Sequence, residues 1–170
     1  MNVLYGLCVA LLLATPLAHG SSKDPGKVIA GWVEKISLVE PALTLKAKLD
    51  TGAKTSSIHA INVEQFMRDG DRWVRFDLLL EDVDDKQHTL HMEKPRVRRV
   101  RIKDNDGDDD RRAVVELEIC FDGRRHVTEF TLAQRTDYIY DVLLGREFLQ
   151  GVAVVDPDST YLTQAHCPTP

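Results

Sequence analysis

The chain has 170 residues and a formal net charge of −5, a length suited to one domain with a real hydrophobic core. Its modest acidity argues against nucleic acid as the main partner. No H-E-x-x-H zinc motif and no G-x-x-x-x-G-K-[ST] nucleotide loop is present, so neither a helical zinc-protease site nor a phosphate loop is written here.

Residues 1–20 carry no Lys, Arg, Asp or Glu, residues 3–14 are almost wholly apolar, and Ala18-His19-Gly20 forms a small-x-small site before Ser21. This predicts a secretory signal peptide over 1–20, although its n-region offers only the terminal amine. The apolar run is short for a bilayer span, so no stable membrane anchor is expected after cleavage. Residues 21–27, with Pro25-Gly26, read as a linker, and 28–170 as the folded domain. Export predicts a periplasmic or secreted protein. Cys120 and Cys167 then have two open readings: a disulfide, worth about 4 kcal/mol in the chain-entropy model, or one buried and one free thiol.

The 28–38 segment reads as a strand with an irregularity at Gly31. In 43–49, Leu43, Leu45, Ala47 and Leu49 alternate with polar residues, which predicts a strand with one buried face. Residues 60–67 suggest a single helical turn with Asn62 as N-cap. Asp69-Gly70-Asp71 is a turn, and 73–80 alternates again. Short strands follow over 89–92 and 97–103. Residues 113–121 and 127–132 form the clearest hairpin, turning at Asp122-Gly123. Strands over 138–144, 153–155 and 161–162 complete an all-β chain. Frequent short strands with turn signals favour a closed or sandwiched β-domain.

Asp50-Thr51-Gly52-Ala53 ends the 43–49 strand. Gly52 lets the chain turn sharply and lift the Asp50 carboxylate to the rim of an apolar core. Far downstream, Leu143-Leu144-Gly145-Arg146 follows a short apolar strand and opens a brief helical turn. The two segments in this order resemble the retropepsin branch of the aspartic proteases over about 28–162. More closely, 49–60 and 143–146 resemble a bacterial family of small retropepsin-like proteins often labelled ATP-dependent zinc proteases. The residues themselves support the aspartic chemistry over that label.

The resemblance implies a closed β-barrel lobe with one short helix, and two lobes formed by homodimerisation. Peptide hydrolysis of this kind needs two carboxylates sharing one proton around a water. One triplet per chain implies that Asp50 of each subunit meets on a two-fold axis. By resemblance, Asp50, Thr51 and Gly52 are the catalytic triplet, and Thr51 bonds across to the partner loop. Ala53, Leu143, Leu144 and Gly145 support that loop. The expected partners are a second copy and a peptide or protein substrate, with no cofactor and no metal. Two other readings stay open: a retropepsin-fold binding or regulatory module that does no chemistry, and a zinc-dependent protease as the family label claims.

Viral retropepsins pair an acidic residue after the alanine with the arginine after the later glycine. Here that position is Lys54, so Arg146 is expected to pair with another acid. Lys54 lining the cleft would favour acidic substrate residues; as a plain loop charge it would simply be solvated. His88 and His91 are three apart on a strand, which suits a shared metal badly. The acidic run 104–110 puts its glycine at the fourth position and Val115 at the twelfth, so a solvated turn is expected instead of a calcium loop. The basic run 96–103 alternates with Val100 and Ile102 as a half-buried strand does. The polar stretch 81–110 is the expected source of a flap.

Overall fold

The computed structural model describes residues 26–103 and 109–168. The expected signal peptide, most of the linker and the centre of the acidic run 104–110 lie outside the described residues.

The elements are β1 Val28–Leu38, β2 Leu43–Leu49, β3 Ser56–Arg68, β4 Asp71–Glu81, β5 Gln87–Pro95, β6 Arg98–Lys103, β7 Asp109–Phe121, β8 Arg124–Ala133, β9 Val142–Leu144, α1 Arg146–Leu149 and β10 Ala153–Thr160. Six strands close a barrel in the order β1-β2-β9-β3-β8-β7, with β7 returning to β1. The closing seam is short: Ser37 pairs with Cys120 and Leu38 with Ile119. Strand β10 adds to β1, β6 adds to β7, and β4 and β5 extend β3 into an outer sheet. The fold is therefore all-β and barrel-based, with one four-residue helix.

Alternation built most of this. Leu45, Ala47 and Leu49 point inward from β2, and Val74, Phe76, Leu78 and Leu80 from β4, each nearly inaccessible to solvent. They join Ile58, Phe121, Phe130 and Leu144 in one core.

Three expectations change. The 60–67 segment is not a helical turn but part of β3. Asn62 takes a left-handed conformation (φ 52°), and the register with β4 shifts between Ile61 and Glu64. Its amide donates to Asp77 Oδ2 at 2.8 Å, across the sheet. A short polar side chain that suits an N-cap equally suits a left-handed bulge, and here tertiary pairing decides. The bulge bends β3, so its first half belongs to the barrel and its second to the outer sheet. The strand expected over 138–144 is shorter, Val142–Leu144, and Tyr161 and Leu162 lie beyond the end of β10.

The irregularity at Gly31 is present: the β1–β10 register shifts between Gly31 and Val33. A Cβ on Gly31 would stand 2.3 Å from the Ser159 carbonyl oxygen, so only glycine lets β10 cross here. The same turn buries Glu34 completely. Its carboxylate accepts from the Gly31 amide (2.6 Å), the Leu162 and Thr163 amides (2.9 and 3.1 Å) and the Thr163 hydroxyl (2.9 Å). One buried acid thus pins the C-terminal segment to β1. From the other side, Cys167 is bonded to Cys120 beside the barrel seam, so the disulfide reading is the correct one.

Candidate active site

The site is built where β2 ends against β9. Leu49 pairs with Leu144, and the Asp50 amide donates to the Leu144 carbonyl at 2.9 Å. This carries Asp50 to the barrel rim. The chain then turns back, and the Gly52 and Ala53 amides donate to Asp50 Oδ1 at 2.9 and 3.3 Å. Lys48, two residues earlier on the polar face of β2, donates to Oδ2 at 3.0 Å. Burial works to raise the Asp50 pKa, but the Lys48 ammonium and the two amides outweigh it. The carboxyl sits below the usual carboxylate range.

The downstream segment holds this loop from behind. Gly145 donates to Ser56 Oγ at 3.1 Å, Arg146 N–H to the Ala53 carbonyl and Glu147 N–H to the Lys54 carbonyl, both at 3.0 Å. A Cβ on Gly145 would lie 2.5 Å from the Thr55 carbonyl oxygen, so the close approach requires glycine. Leu144 is buried and Leu143 half-buried. Helix α1 is anchored by Phe148, whose ring meets Phe121 edge-on at 5.5 Å. Thr51 and Gly52 are exposed at the rim, and Ala53 is half-buried behind them.

The partner of Arg146 is not an acid. Its Nη1 donates to the carbonyls of Thr51 and Gly52, both at 2.8 Å. Lys54 instead faces Glu147 at 3.6 Å, with both side chains well exposed. The acid that viral relatives place after the alanine is thus replaced by the loop backbone itself.

Arg135 is a residue that sequence reasoning missed. Its side chain is buried; Nη1 donates to Ser57 Oγ and Nε to the Tyr140 carbonyl, both at 3.0 Å, and the guanidinium lies 4.5 Å from the centre of the Tyr138 ring. Its own amide donates to Nδ1 of buried His59 at 2.6 Å. Burial is the strongest influence and pulls its pKa down, while Tyr138, Asp141 and Asp50 oppose it. Asp50 thus stands within the field of a second cation, held on the β8–β9 connection. Nothing in the local sequence marks Arg135, because every partner it has comes from its tertiary setting.

The histidine pair does not converge. His88 Nε2 meets Asp82 at 2.7 Å and His91 Nδ1 meets Asp77 at 2.6 Å. Among the described residues, no group of three or more His, Cys, Asp or Glu is placed to hold a metal.

A six-stranded barrel carrying Asp-Thr-Gly on one strand end, locked by Leu-Leu-Gly-Arg from another, defines a retropepsin-like protein. The profile of the RimB-like family, described as retropepsin-like aspartic endopeptidase RimB, matches residues 29–166, and the chain belongs to that family. A crystal structure of a Legionella pneumophila protein of unknown function superposes with a TM-score of 0.67 at 33% identity, covering 81% of this chain and 98% of that one. Two longer relatives are each named probable alpha-L-glutamate ligase. The one from Desulfotalea psychrophila is 34% identical over 137 residues, and the one from Shewanella pealeana 36% over 130. The matches take in 80% and 76% of this chain but only 29% and 28% of those proteins.

Proposed function

We propose that this chain is one half of an exported, homodimeric aspartic endopeptidase that cleaves acidic peptides. The observation that carries the reading is the Asp50 carboxylate, held by two loop amides at a rim where Thr51 is exposed. Two such rims facing each other would bring two Asp50 carboxyls together. Like charges a few ångströms apart cannot both ionise easily, so the pair keeps one proton over a broad pH range. The ionised member takes a proton from water as it attacks the scissile carbonyl, and the protonated member polarises the carbonyl oxygen. No covalent intermediate forms. Thr51 of each loop would bond across the axis, and Ala53, Leu143, Leu144, Gly145 and Arg146 keep the loop rigid.

Lys48 has a defined part in this scheme. A cation beside the dyad lowers the pH at which it becomes doubly protonated. Lys48→Met is therefore expected to move the acid limb of the kcat/KM profile to higher pH. An unmoved limb would dismiss Lys48 as a tuning group.

Two lines support the acidic substrate. Lys48 and Arg135 bring positive charge to Asp50. The longer relatives are named for ligation of L-glutamate, and a hydrolase opposing such a reaction would meet glutamyl peptides. A second reading, a binding module without chemistry, draws on the same relatives, since the matching region is a minor part of each.

The test combines sedimentation velocity on the chain from Ser21 with digestion of a glutamate-rich peptide and a neutral one of equal length. A dimer that cleaves the acidic peptide faster, with or without chelator, is expected. A strict monomer that cleaves neither peptide would refute the reading, and activity lost to chelator alone would favour the zinc label.

A further inference from the structure

The basic run beginning at Arg96 does more than form a half-buried strand. Beyond the β3 bulge lies a hollow of about 320 Å³ whose lining includes Gln65, Phe66, Arg72, Trp73, Arg96 and Arg99. Three guanidiniums share it. Among the described residues no carboxylate lies within ion-pair distance of any of them. Among the described residues, the only side-chain acceptor that Arg96 and Arg99 find is one neutral oxygen, Gln65 Oε1. Arg96 Nη1 donates to it, and so do Arg99 Nε and Nη2, at 3.0 and 2.5 Å. Arg96 Nε is buried and has no acceptor among the described residues. Burial, followed by the repulsion of Arg99 and Arg72, draws the Arg96 pKa down.

This differs from the neighbouring cations. Arg68 and Arg75 share Glu93, with Arg75 Nε 2.7 Å from the carboxylate, and Arg68 stacks 4.3 Å from the centre of Trp73. The fold therefore neutralises two arginines and leaves three crowded around a cavity. Clustered like charges with an unmet donor cost free energy that an anion in the cavity would recover.

We propose that this hollow is an exosite for the side-chain carboxylates of an acidic peptide, engaging substrate away from the bond presented to Asp50. The inference rests on the peptidase reading and extends it. The setting favours a peptide over a nucleic acid. The overall charge is negative, so the attraction is local and not a long-range field for a polyanion. Gln65 also lines an adjoining hollow of about 340 Å³, walled by Ala60, Ala133 and Arg111. Ala133 pairs with His59, and Ser57 and His59 are the groups that hold Arg135. From Ser57 to Gln65 the strand contour is at most about 26 Å at roughly 3.3 Å per residue, shortened by the bulge near Asn62, and an extended peptide of about eight residues reaches that far.

The test uses an all-glutamate peptide of about ten residues and one of about four, the longer alone able to span that path. Binding is measured by calorimetry on the Asp50→Asn protein, and kinetics on the protein with Asp50 intact. Arg96→Gln combined with Arg99→Gln is expected to weaken binding of the long peptide by about tenfold or more, with the effect shrinking at high salt. KM for the long peptide should rise with kcat unchanged, and the short peptide should be indifferent. Arg72→Gln, at an exposed position, should act in the same direction without disturbing the fold. Equal affinity in all variants would overturn the exosite, and so would tighter competition by inorganic phosphate or a short oligonucleotide than by the peptide. The two readings fail separately. Arginine-dependent binding without cleavage would sink the peptidase and keep the carboxylate site. Cleavage indifferent to the arginines would sink the exosite alone.

Discussion

Asp50→Asn is expected to abolish peptide hydrolysis, lowering kcat/KM by at least about 10³-fold, while the protein stays folded. The amide is nearly isosteric with the carboxyl, and its oxygen can still accept from Gly52 and Ala53 at 2.9 and 3.3 Å. What it lacks is the ability to take a proton from water or to share one with a partner carboxyl. Two such subunits would present two amides, and no arrangement of them supplies a general base. The Lys48 ammonium would lose its counter-charge, but it is partly exposed and water can solvate it. The measurement is digestion of a broad peptide mixture read by mass spectrometry, beside thermal unfolding of the same samples. Wild-type cleavage by the asparagine variant would end the aspartic mechanism. A variant that is inert toward peptides yet retains the biological effect would point to the binding module.

The second large effect is on stability. Cys167→Ser should lower the unfolding temperature by roughly 10 °C, the size expected when a domain of this length loses about 4 kcal/mol. The bond spans a sequence separation of 47, which sets that magnitude through the entropy of the unfolded chain. Position adds to it. Cys120 pairs with Ser37 at the seam that closes the barrel, and that seam has only one further residue pair. Serine at 167 avoids placing a hydroxyl in the core, since Cys120 is the buried partner. Differential scanning calorimetry of the variant and of reduced wild type should give the same shift. A change of under about 2 °C would mean that Glu34 alone secures the tail.

What could be read beforehand depended on range. The inward faces of β2 and β4 follow from period-two alternation, which neighbouring residues carry. The irregularity at Gly31 was legible because a glycine within a strand signals a bulge or a close approach. The pairing of 49–53 with 143–146 was legible because both pieces are motifs. The 60–67 segment misled because Asn62 serves two local structures, and only the register with β4 chooses between them. Glu34 carries no local signal; its four hydrogen bonds include three from residues 128 or more positions away. Arg135 was silent for the same reason, as was the partner of Arg146. A carbonyl contact depends on how a peptide plane is turned, and residue type does not encode that.

The way Arg146 grips the Asp50 turn bears on the acidity at which the proposed dyad would work. Peptide carbonyls take up no proton in water, so the fastening between Arg146 and residues 51 and 52 has no acid that can be switched off. A carboxylate in that role would risk discharge in the very conditions where a pair of aspartates, as proposed, would share a single proton. On the proposed mechanism Asp50 would titrate while the Arg146 fastening of its turn keeps its charge, which separates chemistry from that part of the scaffold along the pH axis.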